Sequence, residues 1–124
     1  MPLHWIVDSK ERLVIVTAEG AVTGAELEEY IAAMNGAGTM SYRKLYDGSR
    51  GNTDLTEEEL LAIGVQLRAR HTTGDRPGPL ALVLSPDQFE QVSRVLGILA
   101  AADRPMRVFT AIAPARHWIE RLPK

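Results

Sequence analysis

The sequence contains no cysteine, which excludes disulfides, thiolate metal sites and a cysteine nucleophile. Its three histidines, His4, His71 and His117, stand far apart, and none has a second histidine at the spacing of a metal site. Every apolar run is far shorter than the roughly 20 residues that cross a bilayer. The first residues also lack the basic segment and long apolar run of a signal peptide. We therefore expect a cytoplasmic protein without a membrane span, a metal or another cofactor.

Neither sign of charge dominates, because 14 basic residues face 16 acidic ones and the net charge is -2. A chain without a basic surface is not expected to bind nucleic acid. Hydrophobic residues make up 45% of the 124 residues, which is ordinary for a globular protein. The length suits one hydrophobic core, so we predict a single domain spanning residues 1–124.

Short apolar runs, rich in branched residues, alternate along the chain with segments of helical periodicity. The runs predict five strands: Leu3–Val7, Leu13–Ala18, Tyr42–Asp47, Leu80–Leu84 and Met106–Thr110. The last two thirds of the chain alternate strand with helix, which is typical of parallel β-α units with right-handed crossovers. The first two strands are joined by a short polar segment and should form an antiparallel pair.

Helix starts are marked by capping boxes, in which a Ser or Thr and a Glu or Gln three residues later satisfy free backbone N–H groups. Such boxes occur at Thr23 with Glu26, at Thr56 with Glu59 and at Ser85 with Gln88, and Pro114 begins a short final helix. The sequence therefore predicts an α/β fold, with a single mainly parallel sheet of about five strands and an antiparallel N-terminal edge strand.

The stretch from Lys44 to Glu59 is the most unusual part of the chain. We predict that it leaves a strand at Asp47, crosses a polar loop and enters a helix at Thr56. It collects Asp47, Ser49, Asp54 and Thr56 beyond the carboxyl end of a strand, where open parallel sheets bind their ligands. We therefore predict a binding edge or a switch in this stretch.

The same stretch resembles the STAS, or SpoIIAA-like, proteins, which include the anti-sigma-factor antagonists. In that family an apolar strand ends in Asp, and an Asp-Ser-Ser-Gly segment, whose second Ser is phosphorylated in the antagonists, opens a helix. Here Leu45–Asp47 matches the strand end, and Asp54–Thr56 stands where Asp-Ser-Ser would stand. The resemblance implies a SpoIIAA-like fold over about the whole chain and a regulatory protein partner, such as an anti-sigma-like kinase. It also places Thr56 at the phosphorylated position.

The chain departs from the family pattern at this segment, and each residue also has a structural interpretation. Leu55 replaces a Ser, Glu57 replaces the Gly, and three glutamates after Thr56 would repel a phosphate. Thr56 is equally suited to be a helix N-cap. Asp47 and Asp54 could form a metal-binding or acid/base pair, but Asp residues more commonly cap turns.

The sequence leaves two kinds of partner open. A wide apolar face at Val95, Ile98 and Ala102 could be core or could pair with another protein or a second copy of the chain. Sec14-type relatives of the family bind lipids, which implies a small apolar ligand in a cavity lined by residues such as Phe89, Val92 and Leu96. No catalytic constellation is present in the sequence, so we expect a binding module and not an enzyme.

Overall fold

The computed structural model describes residues 3–54, 56, 58–59, 61–62, 65, 78–89 and 106–124. These residues form a five-stranded sheet in which each strand neighbours the next one along the chain. The strands β2 to β5 are parallel, and β1 pairs antiparallel with β2, which confirms the predicted α/β sheet. The elements with defined bounds are β1 (Leu3–Asp8), β2 (Leu13–Thr23), α1 (Gly24–Gly36), β3 (Arg43–Asp54), β4 (Leu80–Leu84), β5 (Met106–Phe109) and α2 (Ile112–Glu120).

Successive residues of β2 face opposite sides of the sheet and pack against different helices, because side chains alternate along a strand. On one face, Val14 and Val16 are fully buried in a cluster with Met34 of α1. On the other face, Leu13 is buried in a cluster with Ile119 of α2. The described core therefore has two layers, one on each side of the sheet.

The start of α1 lies where the sequence predicts it. Thr23 has extended backbone geometry, and its hydroxyl accepts a hydrogen bond from the backbone N–H of Glu26 at 3.4 Å, as an N-cap does. At the other end, Gly38 adopts a φ of 71°, a conformation that favours glycine. The following N–H of Thr39 then reaches back to the carbonyl of Met34 at 3.0 Å, which closes the helix.

The predicted loop after Asp47 is wrong, because β3 continues as a strand as far as Asp54. In the same way β2 continues past its predicted end at Ala18 and reaches Thr23. Gly, Ser, Asn and Asp are depleted in strands, which is why the sequence favours a loop here. The backbone of Glu19–Thr23 instead pairs with the backbone of Arg50–Asp54. This pairing satisfies N–H and C=O groups that a loop would leave to water.

A β-bulge lies where the sequence predicted the ends of β2 and β3. Thr17 pairs with Asp47 and Glu19 with Arg50, so β3 contains one residue more than β2 between the two pairs. Just beyond the bulge, a Cβ added to Gly51 would lie 2.9 Å from the Cβ of Ala18. The two strands approach too closely there for a side chain, so this position requires glycine.

The other predicted boundaries are nearly correct. The last helix begins at Ile112, two residues before Pro114, which a first helical turn tolerates because its N–H groups have no helical partner. Helical residues follow Thr56, as Glu58 and Glu59 show, and a helical turn follows Ser85 over residues 86–89. The further course of these two predicted helices lies mostly outside the described residues.

Two adjacent cations at the start of β3, Arg43 and Lys44, are almost completely buried. The Arg43 guanidinium donates to the carbonyl of Glu11 at 2.6 Å and to carbonyls at the end of α2, those of Ile119, Glu120 and Leu122, at 3.1–3.2 Å. The Lys44 ammonium donates to three carbonyls after α1: those of Thr39, Met40 and Tyr42. Buried charges are costly unless hydrogen-bonded, and the carbonyl end of a helix favours a cation. These contacts therefore join β3 to the end of α2 and to the segment that follows α1.

Replacing Arg43 by Met should lower the free energy of unfolding by about 2–4 kcal/mol, because several buried carbonyls lose their donor. Chemical denaturation of the two proteins measures this difference. Arg116→Met is the matched control, since Arg116 is exposed and pairs with Glu120 at 2.7 Å, so we expect it to cost no more than about 0.5 kcal/mol. Equal losses in the two variants would contradict the role given to Arg43.

Candidate functional site

The strands β2 and β3 continue together beyond the ends of both neighbouring strands. The last pair with β1 is Leu3 with Ala18, and the last pair with β4 is Gly48 with Leu84. Beyond these pairs, Glu19–Thr23 of β2 pairs with Arg50–Asp54 of β3. We call these two segments the β2–β3 extension. It projects at the carboxyl end of the parallel sheet, which is the edge where such folds place binding sites.

Asp47 and Ser49 come together at the base of the extension. The Asp47 Oδ1 atom accepts hydrogen bonds from the Ser49 hydroxyl at 2.6 Å and from the Ser49 backbone N–H at 3.1 Å. Such a side-chain-to-backbone contact two residues on is the Asx turn that Asp commonly forms. The pair therefore fixes the shape of the bulge while Ser49 stays exposed.

Thr56 lies beyond the far end of the extension and has the geometry of a helix N-cap. Its hydroxyl accepts from the backbone N–H of Glu59 at 3.1 Å, and Oε1 of Glu59 accepts from the Thr56 N–H at 3.2 Å. The Thr56 hydroxyl also lies 3.3 Å from that carboxylate oxygen, to which it donates. The predicted capping box is confirmed, and it occupies the hydroxyl that the family resemblance suggests for phosphorylation.

The four predicted site residues form two groups, not one. Asp54 is the last residue of β3 and pairs through its backbone with Thr23, the N-cap of α1. Asp54 lies five positions after Ser49 along an extended strand, a distance of roughly 16 Å. Asp47 and Ser49 thus lie at the base of the extension, whereas Asp54 ends it and Thr56 lies just beyond it.

The extension makes two contacts that sequence reasoning did not identify. The side-chain amide of Gln88 donates to the carbonyl of Gly51 at 2.6 Å, where β4 no longer lies beside β3. On the surface, Arg50 lies 3.8 Å from the carboxylate of Glu19 across the two strands. The Gln88 contact could not be read from the sequence because it requires knowing that β3 continues past β4. The Glu19–Arg50 pair requires the register of the bulge.

Glu26 and Tyr46 form a second, partly buried polar pair on the α1 face of the sheet. Burial, and secondarily the nearby charge of Glu26, raises the pKa of the Tyr46 phenol to about 12. The Oε2 atom of Glu26 is buried and has no hydrogen-bond partner among the described residues. The Glu26 backbone N–H completes its half of the predicted capping box with Thr23, while its carboxylate influences Tyr46 instead.

The described residues hold no group of three or more His, Asp or Glu side chains placed to bind a metal ion. No helix in this part of the chain is long and apolar enough to cross a membrane. Of the residues predicted to line an apolar cavity, Phe89 is described and half-buried, whereas Val92 and Leu96 lie outside the described residues. The predicted apolar face at Val95, Ile98 and Ala102 also lies outside them.

Comparison with known proteins identifies the fold. No protein-family model matches the chain, and no curated protein is similar to it in sequence. Among solved structures, the chain is similar to an uncharacterised protein of the DUF3478 family with a SpoIIAA-like fold, from Shewanella loihica PV-4. The TM-score is 0.59 over 94% of this chain and 91% of that one, with 16% sequence identity. The likeness confirms the SpoIIAA-like fold that the sequence resemblance implies.

The raised pKa of Tyr46 predicts a loss of stability at alkaline pH. Below about pH 10 the phenol is neutral in both the folded and the unfolded chain, so it contributes no pH dependence. Between about pH 10 and the folded-state pKa of about 12, the phenol ionises in the unfolded chain first. The free energy of unfolding should therefore fall by up to roughly 3 kcal/mol through this group as the pH rises.

Chemical denaturation at several pH values measures this effect, with Tyr46→Phe as the comparison. The variant should lose less stability than the wild-type protein over this range, and ultraviolet titration of its remaining tyrosines should lack the most alkaline step. Glu26→Gln should move that step to lower pH, because it removes the smaller of the two causes of the raised pKa. A Tyr46 titration midpoint near 10 in the wild-type protein would contradict the assignment.

Proposed function

We propose that this single α/β domain is a non-catalytic binding and regulatory module that recognises a regulatory protein through the segment Asp47–Glu59. The observation that carries the proposal is that the polar residues described in this segment are held by their own hydrogen bonds, while Ser49, Thr56, Glu58 and Glu59 stay exposed. Asp47 fixes the bulge through Ser49, and Thr56 and Glu59 cap the helix start reciprocally. A surface that is ordered before binding loses little conformational entropy when a partner arrives.

The charge of the segment supports a partner with a basic surface. Acidic residues outnumber basic ones between residues 47 and 59, and Arg50 is already placed beside Glu19. Glu58 and Glu59 are exposed at the helix start. Complementary charge of this kind speeds association and helps to exclude wrong partners more than it adds affinity.

The proposal is independent of whether Thr56 is ever phosphorylated. Its hydroxyl already donates to Glu59 and accepts from the backbone, so a phosphate would have to break the capping box beside a carboxylate. Ser49 is exposed, but its hydroxyl donates to Asp47. We therefore propose that the partner recognises the polar surface itself, and that Ser49 and Thr56 adjust the shape of this surface.

Photo-crosslinking in the cells that express the protein tests whether this surface meets a partner. A photoreactive amino acid at position 58 should give a discrete crosslinked product, which mass spectrometry can identify. The matched control carries the same group at Lys10, in the turn between β1 and β2 at the opposite end of the parallel sheet. Identical products from both positions, or none from position 58, would contradict the proposed surface.

Substitutions at Thr56 test the same surface once that partner has been purified. Thr56→Asp should weaken the complex about tenfold, because Asp preserves an N-cap but repels Glu59 and alters the capping box. Thr56→Asn is the matched control, since Asn caps helices equally well without a charge and should change the affinity little. Isothermal titration calorimetry with each variant measures the effect. Unchanged affinity for Thr56→Asp would place the partner elsewhere.

A further inference from the structure

The first strand, β1, lies at one edge of the sheet and pairs with β2 on one side. Its outer side has no strand partner among the residues that the structure describes. The pairing of β1 with β2 runs without a bulge from Leu3 to Asp8, so the outer edge is regular over six residues. Natural edge strands are commonly protected by lysine, proline or a bulge, and this strand contains none of them.

The side chains of β1 expose apolar surface on both faces of the sheet. Ile6 is 72% exposed although it sits beside Ile15, and Val7 on the opposite face is 37% exposed. Next to Val7, Trp5 is half-buried, with its ring 5.4 Å from that of Tyr30. A regular edge with apolar side chains on both faces favours the addition of another strand.

We propose that β1 pairs antiparallel with β1 of a second copy of the chain. The twofold axis of this dimer passes between the two copies of Ile6. In this arrangement the two five-stranded sheets join into one sheet that continues across the dimer. The contact is isologous, since the same strand contributes to both sides.

Geometry leaves few registers for such a pair. Directly opposite residues on antiparallel strands point to the same face of the sheet. A twofold axis perpendicular to the sheet must therefore pass between two copies of one residue, and the registers that pair most of β1 centre on Trp5 or on Ile6. The Trp5 register sets His4 opposite Ile6 of the partner subunit and places Asp8 beyond the end of the facing β1, opposite no residue of that strand.

The register centred on Ile6 places apolar residues opposite apolar residues and polar residues opposite polar residues. Ile6 meets Ile6 of the partner subunit on one face, and Trp5 meets Val7 of the partner subunit on the other, an aromatic and β-branched pair that stabilises sheets. His4 lies opposite Asp8 of the partner subunit, so an imidazole N–H can donate to a carboxylate. Oδ1 of Asp8 accepts from the backbone N–H of Glu11 at 3.1 Å, which leaves Oδ2 for this contact. By symmetry the contact between Trp5 and Val7 and the contact between His4 and Asp8 each occur twice in the dimer.

A single strand pair buries less surface than a standard protein interface, so the dimer should be weak and concentration-dependent. We expect a dissociation constant on the order of 10–100 µM. Sedimentation equilibrium of the full chain over this concentration range should show a monomer–dimer equilibrium. Ile6→Lys should weaken dimerisation at least about tenfold, whereas Ile112→Lys, at another exposed isoleucine, should not change it. A monomer throughout the range, or equal effects of both substitutions, would overturn the proposal.

Changing the charge of residue 4, which lies opposite Asp8 of the partner subunit in the Ile6 register, tests this register separately. His4→Lys should tighten the dimer and His4→Asp should weaken it, each by about fivefold, because every substitution acts at two symmetric contacts. In the Trp5-centred register both variants would weaken the dimer, because His4 would face an isoleucine. Weakening by both substitutions would therefore overturn the register.

The absence of cysteine permits a direct test of proximity. In the proposed dimer the two Cα atoms of residue 6 lie about 4.5–5.5 Å apart, which is within the range that a disulfide can bridge. Ile6→Cys should therefore form a disulfide-linked dimer rapidly under mild oxidation. Val65→Cys, at a side chain that is also exposed, is the matched control and should crosslink much more slowly. Equal crosslinking rates for the two variants would contradict direct pairing of β1.

Discussion

The organisation of the fold depends on two buried cations at the start of its central strand. Arg43 and Lys44 are consecutive, so their side chains point to opposite faces of the sheet. Arg43 reaches carbonyls at the end of α2, and Lys44 reaches carbonyls in the segment that connects α1 to β3. The carbonyls at a helix end have no partner within the helix and carry partial negative charge. One dipeptide thereby satisfies polar groups in both layers and fixes where β3 begins. The proposed binding surface lies at the other end of the same strand.

That strand also explains how a polar sequence becomes an ordered surface. Beyond the Gly48–Ser49 bulge, β3 has left β4 and pairs with β2, whose own extension ends at the N-cap of α1. Backbone pairing, the Asp47 turn and the Gln88 amide replace the hydrophobic contacts that order the rest of the sheet. None of these contacts uses the side chain of Glu58, which stays exposed.

The sequence predicted the number and order of the strands because Leu13–Ala18 and Leu80–Leu84 are strongly apolar, and it predicted the start of α1 from Thr23. It did not predict the strand beyond Asp47, since Gly, Ser and Asn have low strand propensity and their pairing with β2 is not a local property. It placed Asp47, Ser49, Asp54 and Thr56 beyond the carboxyl end of a strand without revealing that they form two groups. Their separation depends on that same extended conformation.

The burial of Arg43 and Lys44 also changes how the molecule presents its charge to water. The formal charge of -2 counts every ionisable residue equally, but the charged side chains that are buried in the described part of the chain are both cations. The described surface is therefore more acidic than the composition suggests. At contact distance this described surface should favour cationic groups over anionic ones, and added salt should screen that preference.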